Sequence, residues 1–120
     1  MLVDTSVWVE YFHAGNRRLA RELEADAVWM HPLIIGELSC GRFSDRRRVL
    51  ALLATLRSLP AVAHDEALSF LEHHDLAGRG LGWIDIHLLA SARLAGFTIW
   101  TRDRDLAVAG RRVGLKVTNG

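Results

Sequence analysis

The stretch Phe97-Thr98-Ile99-Trp100-Thr101-Arg102-Asp103-Arg104-Asp105-Leu106 passes from an apolar run into a cluster of acids and bases. Residues 97–100 are aromatic or β-branched, which predicts the clearest strand in the chain. The turn from Thr101 to Asp105 carries the short polar side chains that open a helix. The N-terminus repeats the pattern. Met1 to Val3 predicts a short buried strand, and Asp4-Thr5-Ser6 opens a helix through Trp8, Val9 and Phe12.

Outward from these two stretches the alternation continues. A second helix is expected over Arg17 to Leu23, a strand over Ala27 to Met30, and a helix opened by Pro32, where a missing N–H costs nothing. Ser44 or Asp45 caps a further helix with Val49, Leu50, Leu52, Leu53 and Leu56 at helical spacing, ended by Pro60. A brief strand over Ala61 to Ala63 and a helix from Asp65 to Ala77 closed by Gly78 follow. Gly80 and Gly82 make a flexible approach to a loop-placed Trp83. A helix from Asp85 to Ala95 stops at Gly96, and Leu115 to Val117 supplies a last strand. Short strands alternating with helices predict one α/β domain over residues 1–120, with a parallel sheet of about five strands covered on both faces.

In such sheets ligands bind at the carboxyl ends of the strands. Asp4 and Asp103 each follow a strand there, Asp85 opens a helix after a glycine-rich loop, and Glu37 lies within the helix begun at Pro32. Taken singly, each of the three aspartates reads first as a helix cap and only second as a ligand, because a carboxylate there accepts backbone N–H groups and favours the dipole. Glu37 resists that account. Its surroundings, PLIIGEL at 32–38, are apolar, and a glutamate on a buried helix needs a cation or a partner. Gly36 beside it implies close packing or close approach of a ligand. Hard divalent ions prefer such oxygen ligands, and magnesium takes one or two carboxylates together with waters and phosphate oxygens.

The segments VDTSVW (3–8), IGEL (35–38), GWIDIHLLASA (82–92) and TRDRDL (101–106) resemble the PIN-domain nucleases, in particular the VapC-type toxins of bacterial toxin–antitoxin pairs, and the similarity runs from residue 2 to about 117. This resemblance implies a Rossmann-like sheet and an endoribonuclease dependent on Mg²⁺ or Mn²⁺ that cleaves tRNA or rRNA and so inhibits translation. It also implies a VapB-like antitoxin that inserts a segment into the active-site groove, with a homodimer and hetero-oligomer as the expected assemblies. Asp4, Glu37, Asp85 and Asp103 fall on the family's acidic tetrad. Asp105 matches a second acid two positions on, so either Asp103 or Asp105 could be the fourth ligand. Ser6 and Thr101 match small hydroxyl residues set beside the acids.

Composition constrains the alternatives. Of 120 residues 50% are hydrophobic and 24% charged, the mix of a compact fold rather than a disordered chain. No apolar run approaches the ~20 residues that cross a bilayer, and an acid in MLVDTSVWVEYF stands where a signal peptide would be basic. A cytoplasmic protein is expected. Cys40, the only cysteine, excludes an internal disulfide and a multi-cysteine zinc site, and following a buried helix it reads as structural. A net charge of +1 names no partner. Every base except Lys116 is arginine, which suits phosphate, although codon usage in a GC-rich genome explains that equally well. Arg46, Arg47 and Arg48 read as a solvated helix face.

Trp8, Trp29 and Trp100 fall in apolar stretches and read as core, whereas Trp83 beside Asp85 suits base contact and dimer packing equally. His87, His73 and His74 read as packing or surface residues, and His13, His31 and His64 show no ligand spacing. A phosphorelay receiver domain shares the size and the alternation. It needs paired acids at the first strand, an acceptor aspartate in mid-chain and a lysine after a late strand, and none of the three is present. A PIN-like module that only binds RNA or protein is the remaining alternative, and the intact set of acids argues against it.

Overall fold

The computed structural model describes residues 1–120 throughout. Three strands, β1 (Leu2–Val3), β2 (Ile99–Trp100) and β3 (Val117–Thr118), form a parallel sheet in the order β1-β2-β3. The register pairs Leu2 with Ile99 and Ile99 with Val117. The expected count of about five corresponds to five parallel chain segments, of which only these three are strands. The other two join through isolated bridges, Leu2 with Trp29 and Met30 with Ser58. No strand forms over Ala61 to Ala63. The outermost contact lies earlier, where Met30 N donates to Arg57 O (2.7 Å) and Leu59 N to Met30 O (2.8 Å). Pro60, with no N–H to donate, follows directly.

Seven helices surround the sheet: α1 (Thr5–Ala14), α2 (Arg17–Glu24), α3 (Pro32–Ser39), α4 (Arg46–Leu53), α5 (His64–His73), α6 (Trp83–Ala95) and α7 (Arg104–Arg112). α6 is the central one. Every residue from Ile86 to Ala92 is buried, because ILLA-type side chains and the small Ala90, Ser91 and Ala92 let it be packed all round. Its buried residues belong to one hydrophobic core with Leu2, Val3, Trp8, Ile99 and Trp100. α7 lies close over β3 at Gly110, where a Cβ would stand 2.8 Å from Val117 Cγ2.

Several element ends differ from expectation. α4 stops at Leu53, well before Pro60, and Leu52 is 58% exposed, so the apolar spacing overstates its buried face. Asp45 stands at its N-cap in a left-handed conformation (φ 54°) and makes no cap bond; it pairs instead with Arg48 at 3.3 Å. α5 ends at His73, so the left-handed residue that follows the helix is Asp75 (φ 52°), and Gly78 (φ 75°) turns the chain again further on. α6 begins at Trp83, so this tryptophan is helical and Asp85 sits inside the first turn. Cys40 is exposed at the end of α3 rather than packed.

Candidate active site

Parallel strands bring their carboxyl ends to one edge, and three acids stand on helices that begin there or beside it. Asp4 leaves β1 and caps α1; its Oδ2 accepts from Ser6 Oγ (2.7 Å), Thr101 Oγ1 (2.9 Å) and Ser6 N (3.3 Å). Asp103 caps α7, with Oδ1 accepting from Leu106 N at 3.1 Å. Asp85 reaches back to the start of α6, where Oδ2 accepts from Gly82 N at 2.9 Å. Glu37 comes from α3, which packs across α1, and its Oε1 accepts from Thr5 Oγ1 at 2.7 Å. Each carboxylate therefore engages one oxygen with a protein donor and leaves the second without one. Capping and clustering coexist: the caps aim the acids.

Asp85 feels the other three acids. Burial raises the Asp85 carboxyl above its usual range, the Gly82 N–H bond opposes this, and the charges of Asp4, Asp103 and Glu37 raise it further. Asp105 is not among these groups. It faces the preceding loop, where a Cβ on Gly80 (φ +77°) would lie 2.5 Å from Asp105 Oδ2. Of the two candidates for the fourth position, Asp103 is the one whose charge acts on Asp85.

Ser6 and Thr101 hold this edge together. Their hydroxyls lie 3.3 Å apart, Arg102 N donates to Ser6 Oγ (2.9 Å), and Asp103 N donates to Thr101 Oγ1 (2.9 Å). Thr5 reads in the sequence only as a helix opener; its place next to Asp4 is the available signal for more. Gly36 would have nothing within 4 Å of an added Cβ, so it is open to approach rather than closely packed. A cavity of about 220 Å³ lies beside Glu37, lined by Thr5, Phe12, His13, Arg42 and Phe43 among others. No three His, Cys, Asp or Glu side chains close into a ready-made metal cage. Free oxygens from separate acids suit a magnesium-like ion held by one or two carboxylates and otherwise by water.

α3, the helix that presents Glu37, is anchored by a buried histidine. His31 is fully buried, and its Nδ1 accepts from Leu33 N (3.1 Å), which places the ring proton on Nε2, 3.0 Å from Ser91 Oγ. Ser91 in turn donates to Pro60 O (3.2 Å). Burial, with a smaller contribution from His87, lowers the His31 pKa from 6.5 to about 4. The unfolded chain therefore binds this proton more readily than the native one. Stability attributable to His31 is full above pH 6.5, declines as pH falls toward 4, and the total loss is about 3 kcal/mol. His31→Asn keeps a cap acceptor and cannot titrate, so its urea-unfolding free energy should fall less steeply between pH 6.5 and 4. His74 and His87, also lowered by burial, leave a residual slope. Equally steep profiles in both proteins would contradict this.

Comparison with known proteins places the fold in a family. The PIN domain family profile matches residues 1–112. The chain is 45% identical over 116 residues to Ribonuclease VapC32 of Mycobacterium tuberculosis, in each of two strains, covering 96% of this chain and 94% of that protein. Its fold is similar to that of PAE2754 from Pyrobaculum aerophilum (TM-score 0.69, 20% identity, 97% of this chain and 87% of that one). It is also similar to the FitAcB structure from Neisseria gonorrhoeae (TM-score 0.67, 18% identity, 98% and 96%). The receiver-domain alternative falls with this match. The chain belongs to the PIN-domain family, on its VapC branch.

Proposed function

We propose that the protein is a metal-dependent endoribonuclease, the toxin of a VapBC-type pair, which cleaves structured RNA such as tRNA or rRNA and so inhibits translation. The observation that carries this reading is the set of four carboxylates, Asp4, Glu37, Asp85 and Asp103, each held through one oxygen and offering the other at the carboxyl edge of the sheet. The relative that is named a ribonuclease supports the substrate class. Mg²⁺ or Mn²⁺ is the cofactor that fits these hard oxygen donors. When bound, such an ion neutralises charge on the scissile phosphate and acidifies a coordinated water.

The chain's own residues set up that chemistry. Ser6 and Thr101 fix the Asp4 carboxylate by donating to the same oxygen, and Thr5 fixes Glu37. Glu37 or Asp103, through its free oxygen, orients the attacking water. Asp105, turned toward Gly80, stands outside the ligand set. A VapB-like antitoxin restrains the toxin by occupying the groove, and exposed Val9, Leu52, Leu68, Leu94 and Val108 supply apolar surface for a homodimer and for the hetero-oligomer. No helix is long and apolar enough to cross a membrane, and the place of action is the cytoplasm, where the RNA is.

The test is direct. Purified protein should cleave RNA in Mn²⁺ and stop in EDTA. Its expression should arrest growth, and co-expression of the neighbouring antitoxin gene should restore it. Harmless expression of folded protein that leaves RNA intact in Mn²⁺ would count against the reading.

A further inference from the structure

Two arginines at the carboxyl edge of the sheet have guanidinium groups that hold none of the acids, and both are fixed. Arg102 follows Thr101, whose hydroxyl donates to Asp4, and precedes Asp103. Its backbone N–H donates to Ser6 Oγ at 2.9 Å, the same hydroxyl that donates to Asp4 Oδ2. Its side chain meets Glu10 on α1, with Nε 3.3 Å from Oε2. Ser6 and Glu10 are four residues apart and so share one face of that helix. The guanidinium is thereby placed one turn of α1 beyond the hydroxyl that holds Asp4. Glu10 is itself held, because Asn16 Nδ2, at the cap of α2, donates to its Oε1 at 3.4 Å. An ion pair this exposed (side chains 53% and 33%) contributes little to stability. What it does is orient: Nε is engaged, and both Nη groups are left without a protein acceptor.

Arg18, in the first turn of α2, is the second. Its guanidinium carbon lies 4.6 Å over the ring of the buried Trp100, and Nη1 donates to Thr118 Oγ1 at 2.9 Å. Thr118 ends β3, and its carbonyl accepts from Thr101 N at 3.1 Å, so Arg18 stands next to the threonine that Arg102 follows. Arg18 is half-buried, yet no carboxylate pairs with it. The other half-buried arginine, Arg46, closes the end of α3 by donating to the Ser39 and Gly41 carbonyls. The indole face offsets part of the cost of drawing the Arg18 charge out of water, and a ligand's anion would offset the rest. Four carboxylates repel a polyanion, and fixed cations at their border let an RNA strand approach them. A guanidinium fork matches phosphate oxygens in pairs.

We infer that Arg102 and Arg18 bind two backbone phosphates of the RNA on the α2 side of the acid cluster, Arg102 nearer the cut and Arg18 farther from it. This rests on the ribonuclease reading and names residues that position its substrate. Both arginines bind; neither takes part in bond cleavage.

The test measures binding of a fluorophore-labelled tRNA pool in an Asp4→Asn background over a range of KCl concentrations. Cleavage of total RNA in Mn²⁺ is followed separately with Asp4 intact. Loss of one phosphate contact flattens the dependence of log Kd on log salt by about 0.7–0.9. Arg102→Ala should show that flattening and weaken binding at low salt by about 10- to 100-fold, the range of a charge-assisted bond. Its apparent KM should rise, with kcat changed less. Arg102→Lys keeps the charge and loses the fork, so it should restore the slope and only part of the affinity. Arg18→Gln, which keeps a stem over Trp100 and a donor for Thr118, should flatten the slope by the same amount. Glu10→Gln leaves both cations in place and should keep the parental slope. A parental salt slope in folded Arg102→Ala, or in folded Arg18→Gln, would overturn the proposal. So would an Arg102→Ala defect that Glu10→Gln reproduces in full, which would make Arg102 a tie between loop and helix. Failure of the parent to cleave RNA would overturn the ribonuclease reading, whereas the salt slopes alone decide the role of the two arginines.

Discussion

Asp4→Asn and Asp85→Asn will each lower RNA cleavage by about 100- to 1,000-fold, the range expected when one element of a preorganised electrostatic site is removed, and will leave the fold intact. The amide is chosen because each acid has two jobs on two different atoms. At Asp4, an amide oxygen in place of Oδ2 still accepts from Ser6 and Thr101, so the junction of β1 with α1 survives. At Asp85, the same exchange keeps the Gly82 N–H bond that opens α6. What is lost is the charge and the free oxygen. Unchanged circular dichroism with lost cleavage separates site from scaffold. Ser6→Ala and Thr101→Val should be intermediate, near the 10- to 100-fold typical of groups that orient a ligand without being one. Near-parental cleavage by either Asn variant would mean that the acids are caps and nothing more.

The same cluster should set the protein's stability in the absence of metal. The Asp85 carboxyl has a folded pKa above its unfolded value, through burial and three neighbouring charges. Its sign is opposite to that of a salt-bridged acid: the cost is absent below the unfolded pKa, grows as pH rises through the raised one, and is fully present at neutral pH. Asp85→Asn removes it, so in EDTA at pH 7 this variant should melt above wild type. A divalent ion bound only by the folded protein offsets the same repulsion and adds ~2.7 kcal/mol at a hundredfold excess over its dissociation constant. For a chain of this length that is on the order of 10 °C in Tm. Wild type should gain that rise from Mn²⁺ and the variant little of it, with sodium at matched ionic strength as the control. Superimposable melting curves with and without Mn²⁺, from metal-stripped wild type, would contradict the prediction.

Much of this site is legible in the sequence because strand-then-acid is a local pattern. LVD at 2–4 and IWTRD at 99–103 place two carboxylates at one sheet edge once the strands are taken as parallel, and β1 and β2 are neighbours. Glu37 is legible through its apolar neighbours, but α3 buries only Ile34 and Leu38, and Glu37 is half-buried with one oxygen held by the Thr5 hydroxyl. What the sequence hides depends on tertiary contact. Asp103 and Asp105 are equivalent by spacing, and only the tertiary structure, which sets the Asp105 carboxylate against Gly80, tells them apart. The buried link from His31 through Ser91 to Pro60 joins three segments with no shared motif. Two of five sheet segments are too short to pair as strands, so periodicity over Ala61 to Ala63 points to the wrong residues. The ends of α4 and α5 are equally hidden, because apolar spacing marks what a helix buries and carries little information about where the chain leaves it.

Whether Asp4, Glu37, Asp85 and Asp103 act as one divalent-cation site can be measured without any knowledge of the RNA. The measurement is calorimetric titration of Mn²⁺ into metal-stripped wild type and into Asp4→Asn, Asp85→Asn, Asp103→Asn and Asp105→Asn. Saturable binding to wild type is expected, weakened about 10-fold or more in the first three variants, in line with the loss of a ligand or its support, and unchanged in Asp105→Asn. Binding of equal strength in all five proteins, or no binding to wild type, would contradict a single shared site.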